Sequence, residues 1–453
     1  MKTKLLTLLV LVLFSFTSKA QMSAYLADTL DALFHQRADL LKMKGIGASV
    51  VFPDGSVWTA THGNKGTDSL TPDLLFEIGS NTKSMTAAAV LLLVEEGKLS
   101  LEDSIGMYLP PIKNMPGNAT IRQVLAHTSG MATFELHPDF YPFVNQNWTS
   151  RIDPDSVLYK YLDVPNFKPG AKWAYSNSGY TAAGLIIEKV SGMSYQQFLR
   201  EKLFDRLGLG DTYLSFYERY ATENHVGVWW PDGTYDSIPS TSFLTAAWAA
   251  GGVIATPADF GRWCQSLFGG QLLKSSSLQE MTDTKPTGTG WNYGLGVMKR
   301  SYKGRDYYSH GGTTLQHSAM EYSIESDFSV AVIGIETDKA GQPVQMANFL
   351  IDLMESELPN VPVTFLGEDE LTDSQLTLNV YPNPAVDQVT IETSQERAAQ
   401  ISVYSTSGEL IYETYSDFGR AVLLREELGS GMFIARVINP ENGQVFHNRF
   451  LFK

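Results

Sequence analysis

The run Phe76-Glu-Ile-Gly-Ser-Asn-Thr-Lys-Ser-Met-Thr-Ala-Ala-Ala-Val-Leu-Leu-Leu-Val-Glu-Glu-Gly97 decides how this chain is read. Gly79-Ser80 predicts a turn, and the apolar run behind it has helical length and stops at Gly97, a residue suited to a helix C-terminus. Ser80 then sits at a helix start, where unpaired N–H groups and the positive dipole end favour developing negative charge. Lys83, three residues on, shares a helix face with Ser80. A hydroxyl that must lose a proton, an amine able to take it and an anion-friendly backbone make a plausible nucleophile. The plainer alternative is that Ser80 only caps the helix. By ordinary usage about two Ser-x-x-Lys spacings arise by chance in a chain this long, so the spacing needs support from elsewhere.

Working outward, Ser23 to Met43 has helical periodicity. Ile46 to Phe52 and Val57 to His62 flank Pro53-Asp54-Gly55, a strand–turn–strand signal. A long region of helical patterns runs to about Gly270 and includes helices over Ser178 to Val190 and Tyr195 to Leu203. Strand character returns at Tyr293 to Lys299, His317 to Ile324 and Phe328 to Ile335, followed by a helix over Gln345 to Glu357. The order predicts an α/β sandwich in which the two ends form one antiparallel sheet flanked by helices, with a mainly helical second part beside it and the site in the cleft between. Six short strands between 386 and 452 predict a small C-terminal β-sandwich. The resulting division is a signal peptide over 1–20, a main domain over 21–357, a linker over 358–374 and the sandwich over 375–453.

Composition narrows the function. The 453 residues are 43% hydrophobic and carry a net charge of -15, which argues against a nucleic-acid partner. The single cysteine, Cys264, excludes an intrachain disulfide and a Cys-rich metal site, and no cofactor is expected. Lys2, Lys4, the apolar run Leu5 to Phe16 and Ser18-Lys19-Ala20 form a secretory signal pattern, too short to span a membrane.

Three later groups bear on Ser80. Tyr175-Ser176-Asn177 offers a phenol for proton relay and an amide for orientation, or else an aromatic packing residue beside an Asn cap. His310-Gly311-Gly312-Thr313 offers glycines that let backbone approach a ligand and an N–H for an oxyanion hole, or else an ordinary glycine turn. Leu125-Ala-His-Thr-Ser-Gly-Met131 is a site loop or a structural turn.

Taken in order, Ser80-x-x-Lys83, Tyr175-x-Asn177 and His310-Gly-Gly312 resemble the serine β-lactamase and penicillin-binding-protein superfamily. The match is to the branch holding class C β-lactamases, D-alanyl-D-alanine carboxypeptidases and family VIII esterases. Gly97-Lys-Leu-Ser-Leu-Glu-Asp103, Arg122-Gln-Val-Leu-Ala-His-Thr-Ser-Gly130, Ala250-Gly-Gly-Val-Ile-Ala-Thr256 and Tyr293-Gly-Leu-Gly296 belong to the same resemblance, which spans residues 30 to 357. It implies a β-lactamase/transpeptidase-like fold and an acyl-enzyme on Ser80. Lys83 and Tyr175 would share the proton, either one acting as the base, with Asn177 orienting them. His310, Gly311, Gly312 and Thr313 would line the substrate, and the Ser80 and Thr313 N–H groups would hold the oxyanion. The substrate would be a small-molecule or peptide acyl compound, cleaved as by a carboxypeptidase or esterase; a true β-lactamase and a silent penicillin-binding sensor are the alternatives. Relatives carry Lys-Thr-Gly or His-Thr-Gly where this chain has His310-Gly-Gly312, and a basic residue for a substrate carboxylate where it has Met298, which leaves Arg300 as a displaced substitute. Val380-Tyr-Pro-Asn-Pro384, Gly431-Met-Phe433 and Arg449-Phe-Leu-Phe-Lys453 resemble a type IX secretion sorting domain. That implies export through the periplasm, the outer-membrane secretion machinery as a partner, and a secreted or cell-surface product.

Overall fold

The computed structural model describes residues 24–355 and, towards the C-terminus, 378–381, 385–393, 400–405, 410–415, 420–438 and 445–452. The expected signal peptide and linker lie outside the described residues.

A nine-stranded antiparallel sheet organises the main domain. Its strands run, edge to edge, Asp68–Ser69, Val57–Lys65, Gly45–Val51, Ser329–Gly334, His317–Ser323, Arg305–Thr313, Met298–Tyr302, Asn292–Tyr293 and Lys285–Pro286. The two ends of the domain join at its centre, where Ile46 pairs with Gly334 and Val50 with Val330. Every residue of Gly45–Val51 is buried, because both faces are covered. Ile46, Ala48 and Val50 meet Phe34 and Leu350 from the helices Ala24–Leu40 and Gln342–Glu355. On the other face Ser49 Oγ donates to the Pro257 carbonyl (2.6 Å), docking the helix Pro257–Phe268. Sheet, terminal helices and fold class are as the sequence predicts.

Two elements differ from expectation. Tyr293 to Lys299 is not one strand: the chain reverses, with Gly294 N–H bonded to the Val297 carbonyl at 2.8 Å, and Met298–Tyr302 returns beside Asn292–Tyr293. Residues 305–313, whose end His310-Gly-Gly-Thr313 had an ordinary glycine turn as one reading, form a nine-residue strand in register with His317–Ser323. Its two glycines carry little strand propensity, but neighbours on both edges enforce the extended backbone.

The Thr82–Glu95 helix lies in the helical half with twelve of its residues buried, so it is apolar nearly all round. It ends where Lys98 N–H reaches back to the Leu93 carbonyl (3.0 Å). A small sheet the sequence did not reveal, Phe76–Glu77 with Val253–Ala255 and Thr212–Leu214, holds the chain just before this helix. Among the described residues no helix is long and apolar enough to cross a membrane, and no group of His, Cys, Asp and Glu side chains could hold a metal ion.

In the C-terminal region, sheets of three and four strands share one apolar cluster that includes Val389, Ile401, Leu423, Phe433, Val437 and Phe450. This is the expected β-sandwich; six of its strands fall within a few residues of the predicted ones, and a seventh, Leu378–Tyr381, which the sequence did not reveal, pairs with Gln388–Thr393.

Candidate active site

Ser80 lies in a single 3-10 turn, Gly79–Asn81, directly ahead of Thr82–Glu95. It does not cap the helix: its Oγ accepts a hydrogen bond from Lys83 Nζ at 3.0 Å. Lys83 is fully buried. Its ammonium also donates to the Ala250 carbonyl at 2.6 Å and stands 4.7 Å from the centre of the Tyr175 ring. Burial pushes Lys83 down from its ordinary value to about 7, against the opposing pull of the Glu135 charge. Burial thus brings a neutral amine within reach near neutral pH.

The Ala250 carbonyl reaches Lys83 because the helix Thr241–Gly251 is kinked at Trp248, whose backbone has φ 37° and ψ -113°. Such a conformation is strained for a bulky residue and persists only when its surroundings over-determine it.

The helix Asn177–Ser191 brings in the second group. Ser176, not Asn177, caps it, accepting from Gly179 N–H at 3.2 Å. That leaves the Asn177 side chain free for the cleft. Tyr175 hydrogen-bonds Ser80, and burial holds its phenol well above the ordinary range, so it is protonated at neutral pH. Asn177 Nδ2 donates to Glu135, whose other oxygen accepts from Thr133 Oγ1, and Thr133 Oγ1 accepts from Asn177 N–H at 3.1 Å.

The third group arrives on the end of the Arg305–Thr313 strand, which packs directly on the Ser80 turn. A Cβ on Gly79, where φ is +52°, would lie 2.8 Å from Thr313 N. One on Gly312 would lie 2.1 Å from the Ile78 carbonyl oxygen and 2.3 Å from Ser318 Oγ. Both positions require glycine, and together they bring Thr313 N beside Ser80. Gly311 is different: a Cβ there would meet nothing nearer than 3.8 Å, so its bareness is open space in the cleft. Ser80, Tyr175, Asn177, Gly311 and Thr313 all keep exposed surface.

His310 lies one layer behind. Its Nδ1 bonds the Gly311 carbonyl (2.6 Å) and its Nε2 meets Tyr293 OH at 3.0 Å. Tyr293 OH also meets His127 Nε2 at 3.1 Å, and His127 Nδ1 accepts from Ser176 N–H at 3.1 Å. The last bond sets the direction of the whole series: His127 Nε2–H donates to Tyr293, which donates to His310. Both imidazoles are neutral. Burial, reinforced by the Lys83 charge, holds His310 at about 3 and His127 well below its ordinary value. The His127 loop thus ties the Tyr175 segment to the strand that carries Gly312. Replacing Tyr293 with Phe should orphan one donor and one acceptor, costing about 1–3 kcal/mol for each. Urea unfolding would show it, and an unchanged midpoint would count against the series.

Arg300 does not reach the cleft. Its guanidinium is held by both oxygens of Glu321 (2.9 Å each) and by Asn348 Oδ1 (2.7 Å). Lys299 pairs with Asp306 at 2.7 Å. The displaced carboxylate grip expected of Arg300 is therefore not formed.

Two participants escaped the sequence. The Ala250 carbonyl is backbone and leaves no side-chain signal. Glu135 sits in the short turn Phe134–Leu136 and belongs to no motif. The one available hint is an isolated acid between Phe134 and Leu136, soon after His127-Thr-Ser-Gly130.

The comparisons agree with this geometry. Residues 30–343 match the Beta-lactamase family model, and residues 379–448 match the secretion system C-terminal sorting domain, which marks the chain for export. A penicillin-binding protein of Bacillus subtilis (strain 168) is 29% identical over 267 residues, 54% of this chain and 57% of that relative, so the match spans little more than half of its length. Among solved structures, a D-stereospecific amidohydrolase from Streptomyces sp. is 26% identical with a TM-score of 0.62, covering 72% of this chain and 98% of that one. The D-amino acid amidase from Ochrobactrum anthropi SV3 shares the fold at 24% identity and a TM-score of 0.65, over 74% of this chain and 100% of that one. With well over half of its length matched and the Ser80 turn, Tyr175 loop and Gly312 strand converging on one cleft, the chain belongs to the beta-lactamase family.

Proposed function

We propose that this chain is an exported serine hydrolase that cleaves amides or esters through an acyl-enzyme on Ser80. The observation that carries the reading is the Ser80–Lys83 pair: a hydroxyl 3.0 Å from a buried amine held at about 7. Neutral Lys83 takes the Ser80 proton as Oγ attacks the carbonyl carbon. The N–H groups of Ser80 and Thr313 receive the oxyanion. Protonated Tyr175 serves as the acid for the leaving amine or alcohol and is reprotonated from Lys83. Water then attacks the acyl-enzyme, giving up its proton to the same pair, and Ser80 is released. Asn177 orients the acyl group, while His310 and Gly311 act through the strand that carries Thr313.

Within the carboxypeptidase, esterase and β-lactamase range, amide and ester substrates without a terminal carboxylate are favoured. Arg300 is committed to Glu321 and Asn348, and Gly311 offers no hydroxyl. The likeness to a D-stereospecific amidohydrolase points the same way. The apolar leader over 1–20 would carry the chain into the periplasm before the C-terminal domain engages the outer-membrane machinery.

Ser80→Ala tests the reading. Wild type should be labelled by a fluorescent fluorophosphonate and should turn over p-nitrophenyl butyrate. The variant should fold, take no label and lose at least about 10³-fold in turnover. Labelling that persists in Ser80→Ala would remove the assignment.

A further inference from the structure

The glycines at 79 and 312 let the Ser80 turn and the Thr313 strand end come close. A close contact sets the least distance between two segments and does not hold them at it. The strand end needs holding. Its pairing with Met298–Tyr302 stops at Ser309, so residues 310–313 are paired on one edge only, with His317–Met320. Ser318 Oγ donates to the Ile78 carbonyl at 2.8 Å, but that tether acts on the neighbouring strand, opposite Gly312. Thr313 lies one residue further out.

A buried carboxylate that the acyl-transfer chemistry does not use stands at this point. Glu77 is 2% exposed and lies three residues before Ser80, on the short strand that pairs with Val253–Ala255. Its Oε2 accepts a hydrogen bond from Thr314 Oγ1, the residue directly after Thr313. A carboxylate only accepts, so the hydroxyl is the donor, and a bond to a charged acceptor is stronger than one between neutral groups. Thr314 Oγ1 in turn accepts from Gln316 N–H at 3.2 Å, closing the three-residue turn between the two strands. Gln316 completes a reciprocal contact: its Oε1 accepts from Glu77 N–H at 3.0 Å, and its Nε2 donates to the Val226 carbonyl at 2.7 Å. The second carboxylate oxygen, Oε1, faces His225 Nε2 at 3.6 Å. Glu77 and the 314–316 turn are thus clasped in both directions, just outside the two N–H groups that receive the oxyanion.

We propose that Glu77 and Thr314 are positioning residues that set the spacing of the oxyanion hole. Their bond holds the strand end, and with it Thr313 N, against the segment that carries Ser80 N. This rests on the acyl-enzyme reading. The effect belongs to the transition state, because the two donors must meet the position of the oxyanion rather than that of the ground-state carbonyl.

The test uses the full chain, p-nitrophenyl butyrate and phenylboronic acid, with rates counted per enzyme labelled by a fluorophosphonate. Thr314→Val keeps the shape and removes the hydroxyl. It should lower kcat and the boronic acid affinity together by about 10- to 100-fold, with KM within about threefold of wild type. Thr314→Ser, which restores the donor, should recover most of both. Glu77→Gln keeps an acceptor without the charge and should fall between, and adding it to Thr314→Val should cost little more, since the bond is already lost. Unchanged boronic acid affinity in Thr314→Val would overturn the clasp. So would a serine variant as poor as the valine one, or independent losses in the double variant. A merely structural role would reduce the labelled fraction and leave the boronic acid affinity of that fraction alone. If Glu77→Gln does not fold, the valine and serine variants decide. A labelled wild type whose Thr314→Val variant matches it refutes the clasp alone, and a wild type that takes no label refutes the hydrolase and the clasp with it.

Discussion

Lys83→Met should lower the rate of Ser80 acylation by about 10²–10⁴-fold while leaving the protein as stable as before or more so. The loss follows from removing the one group that can take the Ser80 proton at neutral pH, since Tyr175 is held protonated by its burial. The stability follows from linkage. The lysine is held at about 7 in the folded chain against 10.5 when free, so between those values the unfolded chain binds more protons. Lys83 therefore opposes folding at pH 7 by something on the order of 4 kcal/mol, an effect that fades as pH rises towards 10.5. Methionine fills similar space without that burden, although it leaves the Ala250 carbonyl without its donor. A thermal melt beside a stopped-flow acylation trace checks both halves. The same shift sets the pH profile of the wild type. With an uncharged ester, kcat/KM should fall tenfold per unit below an acid limb near pH 7. Glu135→Gln should move that limb to lower pH, because the Glu135 charge stabilises the protonated lysine. A profile flat down to pH 5 would mean that Lys83 is not the base.

Gly79→Ala should cost about 10²–10³-fold in acylation without touching any side chain of the site. The added Cβ would stand 2.8 Å from Thr313 N, so either the Ser80 turn or the end of the strand must give way. Each response moves one oxyanion donor relative to the other. At φ +52° alanine also carries about 1–2 kcal/mol of backbone cost, so the melting temperature should drop modestly while activity collapses. The useful comparison is with a boronic acid that mimics the tetrahedral intermediate. Its affinity should fall with the acylation rate, and an unchanged affinity would show that Thr313 is not a donor.

Legibility differed from residue to residue, for physical reasons. Ser80 and Lys83 are one helical turn apart, so their proximity is written in local geometry. Tyr175 and Asn177 share a helix start and were readable as a pair, although the cap proved to be Ser176. The antiparallel sheet was visible because its central strands are short runs rich in strand-forming residues bounded by turn signals, such as Ile46–Val51 and Val330–Ile333. The strand over 305–313 was hidden by its charged start and glycine end, residue types with little strand propensity, although it pairs with the strands on either side of it in sequence. Glu135 was hidden for a different reason. Its place comes from Asn177, 42 residues away, and from the charge of Lys83, neither of which a local pattern records. Arg300 illustrates the reverse. Strand alternation correctly placed it with Met298, but Glu321 and Asn348 on the far side of the sheet decided where its guanidinium went.

The central pairing of Gly45–Val51 with Ser329–Gly334 has a consequence for the order of events in time. The chain closes a loop of nearly the whole domain before its first long strand gains its second neighbour, and such non-local contacts make folding slow. The Ser80 turn is complete only when Gly312 and Ser318 have docked against Ile78, so the nucleophile's surroundings are among the last things assembled. A nascent or partly translocated chain therefore holds a serine and a lysine but no working pair, and hydrolytic competence becomes a report that the domain has finished folding.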